Sequence, residues 1–98
     1  MLQYFVELVG TFFFLSVILV VVNAKYNWAA LPIGLALSLV IFWGGGISGG
    51  HFNPAVSTMF LANNQISLTQ YLGYVICQIV GGLLSLAYFK QYSQFIKK

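Results

Sequence analysis

The chain has no arginine and no aspartate, and only one glutamate, one histidine and one cysteine among its 98 residues. Charged residues make up 5% of it, against about 25% in a soluble domain. So few charges cannot cover a water-facing surface, and the expected solvent is lipid. The net charge of +3 comes from Lys25, Lys90, Lys97 and Lys98 against Glu7. Those lysines fit membrane flanks, and without clustered charge on a polar face no nucleic-acid partner is expected. Cys77 stands alone, so no internal disulfide can form and the redox compartment is not legible. No second His, Cys or acidic cluster stands beside His51, so neither a metal site nor a cofactor is expected. An acid–base pair and a nucleophile beside a base are also missing, which argues against an enzyme.

What is present is oil: 60% of the residues are hydrophobic. The expected fold class is an all-α membrane protein, one domain of three transmembrane helices plus one re-entrant half-helix. Three runs are long enough to span, about 2–22, 28–46 and 68–89, since a spanning helix needs about 20 residues. The first has no preceding lysine or arginine and exceeds a signal-peptide core, so it reads as a span rather than a cleaved leader. Asn23 to Asn27 is a short polar turn, which makes the first two spans antiparallel neighbours. Lys90 to Lys98 reads as an interfacial tail with Tyr92 and Phe95 near the headgroups. Small residues recur every four positions at Gly73, Cys77, Gly81 and Ser85, and at Ala30, Gly34 and Ser38. Such stripes let helix backbones approach closely in lipid and carry no chemistry. Ser67 to Gln70 suits a capping box at the start of the third span.

The stretch between the second and third spans breaks the pattern. Gly44 to Phe52 holds five glycines in nine residues, a poor helix by propensity. Asn53 is a strong N-cap and Pro54 suits the first helical position, so a helix is expected from there to about Ala62. Nine residues cover roughly 13 Å, about half of a ~30 Å hydrocarbon core. Asn63 and Asn64 then stop it. One reading is a half-helix that enters and leaves by the same face. The other is a surface loop followed by an interfacial helix. In the first, the positive end of the helix dipole sits at the midplane and repels cations. The Asn53 amide would donate to a passing oxygen, and the carbonyls of Gly49, Gly50, His51 and Phe52 would form a ladder of acceptors. That combination suits neutral hydrogen-bonding solutes and disfavours protons.

"SGGHFNPAVS", Ser48 to Ser57, resembles the S-G-x-H-x-N-P-A-V-[ST] signature in the first half of aquaporins and aquaglyceroporins. "VELVGTFFF" (Val6–Phe14) is similar to that family's first helix, and "YVICQIVGG" (Tyr74–Gly82) to its third. The likeness covers nearly the whole chain but only half of a full-length member. It implies that Asn53, Pro54 and Ala55 stand at the midplane of a pore. It also implies that Glu7 and Gln78 hold the backbone of the re-entrant loop, and that His51 faces the pore near its mouth. From the residues alone, the alternative for Glu7 is a charge snorkelling to the interface, and for His51 a hydrogen-bonded structural histidine. The family's narrowest filter uses an arginine after the second Asn-Pro-Ala; here that position is Val56. The filter contributions would fall to Ile33, Ile41, Gly50 and Val56, an apolar ring that implies a less selective pore.

One half-helix reaches only the midplane, and the family completes its pore with an inverted second half. The simplest expectation is an antiparallel homodimer, one pore per pair, with four such pores able to cluster. Its partners would be water, small neutral solutes such as glycerol, and the bilayer. Three spans put all four lysines on one side, however, and a chain inserting both ways should have a weaker bias. A separate inverted half, a fragment, a relic and a non-conducting half that regulates another channel remain as alternatives.

Overall fold

The computed structural model describes residues 1–96, and the side chains of residues 1–93. Four helices follow one another: α1 (Leu2–Asn23), α2 (Ala30–Ser48), α3 (Pro54–Ala62) and α4 (Leu68–Ile96). Among the described residues there is no strand. Helices α1, α2 and α4 are each long and apolar enough to cross a membrane. The nine-residue α3 is not.

α1 is the centre of the molecule. It packs on α2 along one side and on α4 along the other, while α3 packs on α4 alone. The α1–α4 seam runs on small residues of α4. A Cβ on Gly81 would sit 2.7 Å from the Leu8 carbonyl oxygen and 3.2 Å from the Phe12 nitrogen. The Gly73–Ser85 stripe is therefore a packing face. The Ala30–Gly34–Ser38 stripe is not one within the chain: all three residues are exposed, and nothing lies near Gly34. α2 instead buries Ala36, Val40 and Gly44.

Two expected boundaries move. Gly44–Ser48 is the last turn of α2 rather than irregular chain, because a side chain at Gly44 would collide with Val6 of α1. Close approach of two helices decides that turn, and glycine propensity is overridden. Beyond Phe89, α4 continues to Ile96, since no glycine or proline interrupts Lys90–Ile96. Lys97 and Lys98 of the expected tail lie outside the described residues. At the other end, the Ser67 hydroxyl accepts from the Gln70 N–H at 3.1 Å. That is half of the expected capping box, because the Gln70 amide turns away to Gln3 and Tyr74.

The interior is unlike that of a soluble domain. Its apolar cluster is small, with Val6, Val40 and Phe52 at the centre. Seven buried residues are polar or charged: Glu7, Thr11, Ser48, His51, Ser57, Gln78 and Ser85. The outside carries the large hydrophobes, with Phe42 91% exposed and Trp28 68%. Oil outside and hydrogen bonds inside is the arrangement a chain adopts when lipid is the solvent.

Candidate functional site

The polar interior gathers around the chain between α2 and α3. α2 ends on Gly49, whose φ of +91° places it in the left-handed region and whose N–H donates to the Gly45 carbonyl at 2.9 Å. Gly50 follows at φ +67°. Phe52 has φ +51°, a conformation that L side chains rarely adopt. Its ring is 2% exposed and fills a socket floored by Gly10 of α1 and Gly44 of α2. Asn53 then straightens to φ −162°, and its Oδ1 caps α3 by accepting from the Ala55 N–H at 2.8 Å. Pro54 occupies the first helical position. The N-cap reading of "NPA" is thus realised atom by atom.

Glu7 is the anchor. Its side chain has no exposed surface and meets four neutral donors. Oε2 accepts from the Ser48 hydroxyl at 2.8 Å and the His51 N–H at 3.0 Å. Oε1 accepts from the Phe52 N–H and the Gln78 amide, both at 2.8 Å. A buried carboxylate needs such a full set of donors. A snorkelling glutamate is excluded by this burial. Gln78 makes no hydrogen bond to the loop backbone among the described residues. Its Nε2 donates to Glu7 and, at 3.0 Å, to Ser57 Oγ. A carboxylate that already grips the loop is the stronger acceptor and draws the amide to itself.

The loop buries the side chains of His51 and Phe52. The His51 ring is 6% exposed. It stacks on Phe60 of α3 with centroids 4.7 Å apart and meets Tyr74 of α4 edge-on at 4.9 Å. Nδ1 lies 2.7 Å from Ser57 Oγ, while Nε2, beside Gly49, is not sealed off. The carbonyls of Gly49, Gly50, His51 and Phe52 accept no hydrogen bond from any described residue. Asn53, Pro54 and Ala55 are exposed, and the Asn53 amide nitrogen likewise has no partner among the described residues. The loop thus carries four carbonyls unpaired among the described residues, of which Gly49 is exposed, Gly50 half-buried and His51 and Phe52 buried, followed by an exposed Asn53 at a helix N-terminus.

Of the expected filter residues, Ile41 and Gly50 come together: a Cβ on Gly50 would lie 3.4 Å from Ile41 Cγ1. Val56 sits half-buried in the first turn of α3. Ile33 is two helical turns earlier on α2, about 12 Å along the axis, so one chain does not close the ring. Three supporting residues had no assigned role in the sequence reading. Ser48 and Ser57 bracket the loop, and Tyr74 donates to the Ser48 carbonyl at 2.6 Å. Tyr74 and Gln78 are four apart, hence on one face of α4, and that spacing was the available signal.

Comparison with known proteins agrees with this geometry. The family model described as Major intrinsic protein matches residues 1–96. The chain is 43% identical over 96 residues to glycerol uptake facilitator protein-like 6 of Lactiplantibacillus plantarum, covering 94% of this chain and 44% of that protein. It is 39% identical over 87 residues to nodulin-26 of Glycine max, covering 81% and 32% respectively. With aquaporin-8 of Mus musculus the figures are 41% over 87 residues, covering 84% and 33%. The chain thus spans a third to just under a half of the length of these relatives.

Proposed function

The chain belongs to the major intrinsic protein family and is integral to a membrane, and from that premise we propose that it is half of a passive channel for water and small neutral solutes such as glycerol. Two copies, inserted antiparallel, complete the pore. The carrying observation is a loop with four carbonyls unpaired among the described residues, leading to an exposed Asn53 that caps the short α3. Water, or a polyol hydroxyl, exchanges hydrogen bonds along the carbonyls and meets the Asn53 donor at the tip. The helix N-terminus adds partial positive charge there and opposes protons and cations.

The single chain brings its half-helix only to the midplane, so the path needs a second half-helix from the opposite leaflet. Antiparallel pairing sets the two Asn53 tips together. It also brings Ile33 of a second copy to the mouth formed by Ile41, Gly50 and Val56. Four such pores can cluster, giving eight chains. A ring this apolar, with no arginine, discriminates weakly between water and glycerol.

Charge supports a second reading, in which the partner is a separate inverted half. Lys25 follows α1, and Lys90 lies near the end of α4, so both emerge on one side, a bias that opposes dual insertion. Crosslinking in bilayers separates the two: homodimers are expected from the first reading and none from the second. Vesicles holding this chain alone should swell fast in an osmotic gradient. Asn53→Asp should cut water flux at least about tenfold or raise proton leak, since a carboxylate replaces the amide donor and offsets the positive end of the helix. Unchanged flux and leak would remove Asn53 from the path.

A further inference from the structure

The chain's one acid and its one histidine are joined by two intermediaries, and the directions of those hydrogen bonds follow from counting hydrogens. Glu7 Oε1 and the Gln78 amide are 2.8 Å apart. The amide oxygen cannot face a carboxylate oxygen at that distance, so Nε2 does, and it spends one hydrogen there. Its other hydrogen goes to Ser57 Oγ at 3.0 Å. The Ser57 hydroxyl is now an acceptor toward Gln78. Its only other hydrogen-bond partner among the described residues is His51 Nδ1 at 2.7 Å. The hydroxyl's single hydrogen therefore points at Nδ1, and a nitrogen that accepts it carries no proton.

We infer that Glu7 acts through Gln78 and Ser57 to hold His51 in its neutral, Nε2-protonated form, so that the imidazole offers the solute path a donor without a charge. All three relay residues are positioning residues, since none of them need meet a solute. Gln78 and Ser57 are 2% and 0% exposed, so water cannot substitute for either link. The ring is held in place by Phe60 and Tyr74, and Nε2 beside Gly49 is its unsealed nitrogen. A doubly protonated His51 would direct Nδ1–H at Ser57. The serine hydrogen would then have no acceptor inside a buried network, which is a costly arrangement. That keeps a positive charge away from the loop that carries the four unpaired carbonyls. The donor's role toward solutes rests on the channel reading; the tautomer does not.

The test is nitrogen NMR on the whole chain, labelled at histidine, in lipid bilayers. A single histidine makes the assignment direct. The expected spectrum at neutral pH has a hydrogen-bearing Nε2, a bare Nδ1, and magnetisation transfer from water to the Nε2 hydrogen. Ser57→Ala should yield a mixture of tautomers, and Ser57→Thr should restore the single form. A hydrogen on Nδ1 in the unaltered chain, or one tautomer persisting in Ser57→Ala, would overturn the relay. An Nε2–H out of contact with water would overturn its role as a donor. Swelling of the same vesicles is scored separately. The expected tautomer without water flux would sink the channel reading and leave the relay standing.

Discussion

Two of the three connections between helices, the one after α1 and the one after α2, solve the same problem in opposite ways. In the turn after α1, the N–H groups of Ala24, Lys25 and Tyr26 donate to the carbonyls of Val20, Val22 and Val21. Every partner is within five residues, Lys25 takes φ +60°, and Tyr26 and Trp28 are 60% and 68% exposed. After α2 the chain turns inside the fold instead. The Gly50 N–H finds a hydroxyl two residues back, but those of His51 and Phe52 reach across to Glu7, more than forty residues away in sequence. A turn on the surface closes on itself and on solvent. A turn buried inside the fold must import its acceptors from another helix, because no solvent reaches its N–H groups.

Removing the imported acceptor should have the largest effect. Glu7→Ala leaves the His51 and Phe52 N–H groups, the Ser48 hydroxyl and one Gln78 hydrogen without their partner. At about 1–3 kcal/mol per orphaned buried group, the chain should lose its thermal unfolding transition in detergent and all osmotic flux. A folded Glu7→Ala chain with normal swelling would erase the contrast between the two turns.

The socket under Phe52 comes next. Gly10→Ala drives a methyl group into the Phe52 ring, and overpacking of this kind costs about 1–3 kcal/mol. Flux should fall, and Phe52→Leu in the same chain should recover most of the loss, because the shorter side chain vacates the socket. A double-mutant cycle on unfolding temperature and flux reads this coupling. Purely additive effects would mean that the ring does not set the loop.

The smallest effect belongs to the surface turn. Lys25→Gly removes a left-handed side chain at a position served only by local bonds, and should shift stability by less than about 1 kcal/mol. A loss rivalling that of Glu7→Ala would show that the exposed turn also depends on distant partners.

Much of the fold was legible because lipid imposes simple rules. Length and hydropathy located three spans, and the Asn53–Pro54 cap located α3 to the residue, since capping is decided within four positions. Glycine counting failed at Gly44–Ser48 for the opposite reason. That turn is stabilised by α1 lying close against it, and no local scale contains a neighbouring helix. The stripe at Ala30, Gly34 and Ser38 looked the same in sequence as the one at Gly73 to Ser85, yet only the second meets another helix of this chain.

The site divides along the same line. The string "SGGHFNPAVS" sufficed to mark the loop, its cap and its resemblance, because turn and cap chemistry is written in adjacent residues. Which hydrogen bond each polar group makes was settled only in three dimensions. Gln78 went to a carboxylate and a serine, and the His51 ring to Ser57, Phe60 and Tyr74. Sequence alone determined that the chain lives in lipid and starts a short helix at Asn53–Pro54, since both follow from local composition and backbone preference. Tertiary structure decided which donor meets which acceptor, because a buried polar group is satisfied by whatever the neighbouring helices place within 3 Å.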